Sequence, residues 1–258
     1  MSVGVVVPAY RPDVDRLVDY LATVEERLGP DRVRVVIDDP RPATLERLSA
    51  LDGVEIDAVP YRRGKGAAVT AGFEALDTDV LSFIDADAST PADSIQRVVA
   101  AVAEGRADLT VGSRRHPDAD VRRHQTRLRR HMGDAFVRLA RTLLDVSLHD
   151  YQCGAKAISA EGWTAVRRHL YEPGFAWDIE LVAAAGALGL TVVEVPVTWH
   201  DRPESTVSPV RTPLRMLRGL AAAHHRARRL VDHPLHSAVP DDDAALVDRP
   251  DDTGRAED

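Results

Sequence analysis

The sequence predicts an α/β protein, a mostly parallel sheet with helices on both faces. Three observations carry this expectation. Short β-rich apolar runs recur along the first half of the chain, segments with helical spacing separate them, and the chemically notable residues gather where the runs end. With 258 residues, 44% of them hydrophobic, the chain can bury a core as one large α/β domain or two small ones.

Val3–Val7 reads as the first strand, ended by Pro8. Residues 13–28 place Val14, Leu17, Val18, Leu21, Val24 and Leu28 on one helical face. Val33–Ile37 is a second buried strand that stops at Asp38-Asp39-Pro40, a short helix follows near Ala43–Ala50, and Val54–Val59 is a third strand. Gly64-Lys65-Gly66 opens a helix through Leu76, and Val80–Ile84 is the fourth strand. Pro91–Ala103 is a helix with Ser89 or Thr90 as its cap, and Leu109–Val111 is a further strand. In such sheets the ligand sits beyond the carboxyl ends of the strands. Pro8-Ala9-Tyr10, Asp38-Asp39, Asp85-Asp87 and Gly112-Ser113-Arg114 all fall there.

Composition removes several classes. No run approaches the roughly 18 apolar residues of a membrane span. MSVGVVVPAY lacks the basic start and cleavage site of a signal peptide, and Cys153, the single cysteine, can form no internal disulfide, which fits a reducing cytoplasm. Of the formal charge of −8, residues 237–258 supply −6, from eight carboxylates against Arg249 and Arg255. That tail is expected to be disordered. No Walker A loop is present, and no GxGxxG follows the first strand, which argues against a dinucleotide-binding dehydrogenase.

The stretch LSFIDADASTP (81–91) ends a buried strand on two carboxylates, and strand alternation would put Asp85 and Asp87 on one side. Carboxylates so close repel unless a cation lies between them. Mg²⁺ and Mn²⁺ take carboxylate oxygens and keep positions open for phosphate. The plainer alternative is a strand end followed by a helix start. Gly64-Lys65-Gly66 could bring backbone N–H groups and a cation to phosphates, although alone such a triplet is more often a plain turn.

These pieces sit within a longer series: VVVPAYRP (5–12), VVIDDP (35–40), RRGKGAAVTAGFEAL (62–76), FIDADASTP (83–91), VGSR (111–114), DYQCGAKAIS (150–159), GFAWDIELV (174–182) and VEVPVTWHDRPESTV (193–207). In this order they resemble the family 2 glycosyltransferases of the GT-A fold, in the branch that transfers a hexose from a nucleotide to dolichyl or polyprenyl phosphate. The resemblance leans to the glucosyl over the mannosyl side. It implies that Pro8, Ala9, Tyr10, Asp38 and Asp39 line the nucleotide pocket with Gly64 and Lys65 beside it. It implies that Asp85, Ala86 and Asp87 form the DxD motif holding Mg²⁺ or Mn²⁺ on the diphosphate of a UDP- or GDP-hexose. Asp178 and Glu180 would face the sugar, and Arg114, Arg129 and Arg202 the acceptor phosphate or diphosphate. Trp163, Trp177 and Trp199 read first as core or pocket wall, and of the three Trp177, beside Asp178, is the one placed to touch sugar. It further implies inversion at the anomeric carbon, with a GT-A domain over residues 1–208.

Three departures bear on donor binding. Arg11-Pro12 replaces the usual Asn-Glu, Pro40-Arg41 follows Asp39 where Gly-Ser or Asn-Ser is usual, and Ser205-Thr206-Val207 replaces a Ser-Lys-Val triplet. Two basic segments, 122–141 and 209–236, carry arginines beside apolar positions, in the second Leu214, Leu217 and Leu220, a pattern that lets a helix lie along a membrane surface; the lipid acceptor that the resemblance implies places that contact at the cytoplasmic face. The alternative is a helix packed on the core. No nucleic-acid motif or aromatic platform accompanies the arginines, so a nucleic-acid partner is not expected. A soluble acceptor, or nucleotide-sugar binding without catalysis, are the competing functions.

Overall fold

A computed structural model of the chain describes residues 1–122, 127–200, 211–237 and 243–249. The elements run β1 (Val3–Tyr10), α1 (Val14–Leu28), β2 (Arg32–Asp38), α2 (Pro42–Ser49), β3 (Val54–Val59), α3 (Lys65–Glu74), β4 (Val80–Ile84), α4 (Ala92–Ala103), β5 (Leu109–Ser113), β6 (Asp120–Arg122), α5 (Arg127–Leu143), β7 (Ala155–Ser159), α6 (Ala160–Val166), α7 (Trp177–Ala187), β8 (Val192–Pro196), β9 (Thr198–His200), α8 (Arg211–Leu230) and α9 (Pro234–Ser237). Seven strands form one sheet in the order β3-β2-β1-β4-β7-β5-β8, and β6 pairs with β9. Only β7 runs antiparallel to its neighbours in the large sheet. The near-continuous apolar strands β1 and β4 are what a sheet covered on both faces requires. One hydrophobic cluster gathers α3, α6, α7 and α8, and the other gathers α1 and α4.

Chain order turns back between β1 and β4, so a crevice opens at the carboxyl ends of those two strands. Two boundaries differ from the sequence expectation there. β1 continues through Pro8 to Tyr10, because its pairing with β4 ends at Val6↔Phe83 and a missing N–H beyond that point breaks no bond on that side. The cap of α4 is Pro91 itself, with no side-chain hydrogen bond, while Ser89 donates its N–H to Asp87 Oδ1 at 2.9 Å.

The basic helix α8 turns an apolar stripe of Met216, Leu220, Ala223 and Ala227 into the core against α7 and leaves Leu214 and Leu217 exposed. Part of the acidic tail is also held. Leu246 N donates to Leu170 O at 2.8 Å, Asp243 pairs with Arg226, and Ala245 is buried. The Ala-Leu-Val stretch within the acidic run supplies apolar surface that the expectation of a disordered tail overlooked. Among the described residues no helix is long and apolar enough to cross a membrane.

Candidate active site

The crevice is organised by a turn. β4 ends at Ile84, and Asp85, Ala86 and Asp87 occupy the turn that follows, with Ala88 at φ 56°. The turn, not strand alternation, therefore sets where the two carboxylates point. Asp85 N donates to Gly154 O at 2.9 Å, which ties the turn to the segment leading into β7. A Cβ at position 154 would lie 1.8 Å from Asp85 Oδ2, so only glycine lets the carboxylate occupy its place. Asp87 stands at the solvent rim. The protein around its carboxylate, and then the charge of Asp85, push its pKa up.

Beneath the pair lies a chain of ions. Lys65, the first residue of α3, places Nζ 2.9 Å from Asp85 Oδ1 and 3.0 Å from Asp178 Oδ2, and 4.9 Å from the centroid of the Phe83 ring. Gly64 before it adopts φ 96°, which turns the chain into α3. Lys156, on the antiparallel strand β7, donates to Asp178 Oδ1 at 2.6 Å and to Cys153 O at 2.8 Å. Burial works against charge on Asp178, but Lys156 and Lys65 outweigh it and hold the carboxyl below its ordinary range. Burial likewise opposes the Lys65 charge, and Asp178 and Asp85 more than restore it. Cys153 is fully buried and its thiol is pushed up to about 12 by burial, so it is a packing residue.

The remaining sequence candidates divide. Arg114 follows β5, donates through Nε and Nη2 to the two oxygens of Asp150 at 2.6 and 3.0 Å, and stacks 4.8 Å from the Trp199 ring. It lies close enough to Asp85 to feel its charge. Asp38 is buried, and its Oδ2 accepts from Arg63 N and Gly64 N while Oδ1 accepts from Arg63 Nε, so it shapes the loop before α3. Asp39, at φ 48°, pairs with Arg11 at 2.9 Å at the surface. Pro8, Ala9 and Tyr10 end β1, and the part-exposed Tyr10 ring has the guanidiniums of Arg11 and Arg62 stacked over it, 5.1 and 4.5 Å from its centroid.

Glu180 does not join the aspartates. Two residues after Asp178 on α7, it points to the other side of the helix. There it accepts from Tyr171 N and Glu172 N at 2.7 and 2.8 Å and pairs with Arg226 of α8 at 2.6 Å. It fastens the loop before α7 to α8, and its expected place beside the sugar is corrected. Trp177 takes the core reading and not the sugar contact: it is fully buried, bonded through Nε1 to Thr70 Oγ1, and packed edge-on against Phe73 and Phe83. The Arg129 side chain and the whole of Arg202 lie outside the described residues. Gly154, Lys156 and Asp150 are the site residues that received no role from the sequence. The signal for Lys156 was a lone lysine inside the apolar run AKAIS, which demands a buried partner.

The donor set fits a divalent cation. Two carboxylates lie on a turn at the mouth of the crevice, and a glycine opposite leaves room for one of them. A mostly parallel sheet with an antiparallel insertion, and a carboxylate pair at its topological switch, define the GT-A class of sugar-nucleotide transferase folds. The sequence profile described as Glycosyl transferase family 2 matches residues 4–162, and the chain belongs to that family. It is 32% identical over 229 residues to Glycosyltransferase AglD of Haloferax volcanii, spanning 84% of this chain and 36% of that protein. It is 29% identical to a dolichyl-phosphate beta-glucosyltransferase of Trichomonas vaginalis, spanning 76% and 63%. The chain thus covers about a third of the first relative and under two thirds of the second. The fold matches glucosyl-3-phosphoglycerate synthase of Mycobacterium tuberculosis, solved with Mn²⁺, UDP and glucosyl-3-phosphoglycerate, at a TM-score of 0.61 and 20% identity over 93% of this chain and 81% of that one.

Proposed function

We propose that the protein transfers a hexose, glucose or mannose, from a UDP- or GDP-sugar to dolichyl or polyprenyl phosphate, with inversion at the anomeric carbon. The observation that carries this reading is the Asp85–Asp87 turn seated against Gly154 in a family 2 chain whose relatives include a dolichyl-phosphate glucosyltransferase. Asp85 and Asp87 would hold Mg²⁺ or Mn²⁺. The ion would supply neutralisation of the diphosphate leaving group. Tyr10, at the carboxyl end of β1, would meet the base with its part-exposed ring, where the guanidiniums of Arg11 and Arg62 now stack. Asp38 keeps the Gly64 loop in register.

A phosphate monoester has a second pKa of about 6 and is a dianion at neutral pH, so it needs no general base. It needs positioning. Arg114, fixed by Asp150 on one edge, would offer its Nη1 edge to that phosphate. Direct attack by the phosphate oxygen displaces the nucleoside diphosphate from the opposite face.

The test is transfer of labelled hexose from UDP- and GDP-sugars to dolichyl phosphate with Mg²⁺ or Mn²⁺. Label should enter the organic phase, and Asp85→Asn should lower the rate at least about 100-fold. Label found only in water-soluble acceptors overturns the lipid acceptor, and donor binding without turnover overturns catalysis.

Membrane contact at the cytoplasmic face follows from this acceptor. It is supported by Leu214 and Leu217, exposed on α8 beside the exposed Arg215 and Arg218. Flotation with vesicles containing anionic lipid should drop several-fold for the double variant Leu214→Glu/Leu217→Glu. Equal flotation overturns the assignment of that face.

A further inference from the structure

Lys65 is used more fully than a phosphate-binding lysine should be. Its ammonium lies within 3.0 Å of both Asp85 Oδ1 and Asp178 Oδ2 and faces the Phe83 ring, and only a tenth of the side chain reaches solvent. Asp178 has a second partner, because Lys156 holds the other oxygen at 2.6 Å. Among the described residues Asp85, pressed against Gly154 at the mouth of the crevice, is the carboxylate whose contacting cation is Lys65, with Arg114 acting only at longer range.

The charges of this cluster can be followed through the binding of each ligand. Asp85, Asp87 and Asp178 against Lys65 and Lys156 leave the free site with one net negative charge. A divalent ion alone would turn it net positive in a half-buried crevice and would have to dislodge the ammonium from Asp85. A divalent ion carried on a sugar-nucleotide diphosphate, whose two negative charges cancel it, leaves the balance as it was. Like charge held near a cation site, and competition for the same oxygen, both weaken cation binding.

We propose that Lys65 is the internal counter-ion of Asp85, which disfavours the divalent ion alone and couples its entry to that of the nucleotide diphosphate. Lys65 is thus a positioning residue that sets the order of assembly of the site. When the ion takes Asp85, the ammonium keeps its bond to Asp178 and frees one donor toward the arriving phosphates. The inference rests on the reading of Asp85 and Asp87 as the metal pair, and the experiment separates the two.

The measurement is Mn²⁺ binding to the full chain, by the loss of the free-ion paramagnetic resonance signal, with and without UDP. In the unsubstituted protein Mn²⁺ should bind much more tightly with UDP present. Lys65→Met should tighten binding of Mn²⁺ alone by about tenfold and shrink the enhancement by UDP by a similar factor, since the coupling is reciprocal. Lys65→Arg, which keeps the charge and two carboxylate contacts, should behave as the unsubstituted protein. Lys156→Met removes the same charge from the same cluster without touching Asp85, so it should change Mn²⁺ affinity several-fold less than Lys65→Met.

Equal effects of Lys65→Met and Lys156→Met would reduce the role to general electrostatics and overturn the inference, as would Mn²⁺ affinity unchanged in Lys65→Met. Should Lys65→Met fail to fold, Lys65→Gln takes its place with the same expectation. If Asp87→Asn still binds Mn²⁺ with UDP as the unsubstituted protein does, the metal assignment itself fails. If that variant loses binding while Lys65→Met changes nothing, the metal assignment stands and the counter-ion role falls.

Discussion

Gly154→Ala is expected to lower hexose transfer by about 100-fold or more while leaving the fold in place. The backbone at position 154 is not in the left-handed region, so alanine costs no strain of its own. The cost is a collision. The new methyl would stand 1.8 Å from Asp85 Oδ2 and 2.1 Å from Asp85 Cγ, and Gly154 O already anchors the Asp85 N–H, so the two chains cannot part. The carboxylate must swing out of the crevice, away from Lys65 and from any position it shares with Asp87. Thermal unfolding should move by little, because Asp85 is a third exposed and can relax toward solvent. Mn²⁺ binding in the presence of UDP should fall with the activity. Transfer at the unsubstituted rate would show that Asp85 needs no fixed position.

The second large effect is on stability. Lys156→Met should destabilise the protein by about 3–5 kcal/mol, a drop in Tm on the order of 10 °C for a chain of this size. Lys156 and Asp178 are each within a few per cent of complete burial, and the lysine also satisfies Cys153 O. Removing it leaves one Asp178 oxygen facing a methyl group and a buried carbonyl without its donor. The double variant Lys156→Met/Asp178→Leu should recover part of the loss, since it removes the half-paired Asp178 charge along with its lost partner and leaves Lys65 paired with Asp85. Differential scanning calorimetry checks both values, and a Lys156→Met protein with unchanged Tm would mean that Lys65 alone carries Asp178.

Much of the site was legible because it lies in local runs. The alternation of strands and helices is written in residue spacing, and the ends of β1, β2, β4 and β5 could be found from where apolar runs stop. Asp85 and Asp87 stood out because two carboxylates at the end of a buried strand need an explanation. Roles that depend on long-range partners were not legible. Asp38 and Asp39 look alike in the sequence, yet one is buried against Arg63 and the Gly64 loop while the other sits at the surface with Arg11. Asp178 and Glu180 are two residues apart, and the helix sends them to opposite sides. Glu180 meets Arg226, 46 positions away, and it was misplaced because nothing local announces that partner.

By itself the sequence determined the layered architecture, the family motifs and the acidic turn after β4, since these follow from periodicity, turn chemistry and charge within a few residues. The tertiary structure alone decided which charges meet. The antiparallel insertion of β7 beside β4 brings Gly154 and Lys156 to Asp85 and Asp178, across 69 and 22 positions of chain. The physical reason is that a buried ion is tolerated only with its partner in contact, and contact between distant residues is fixed by sheet order, which no local pattern encodes.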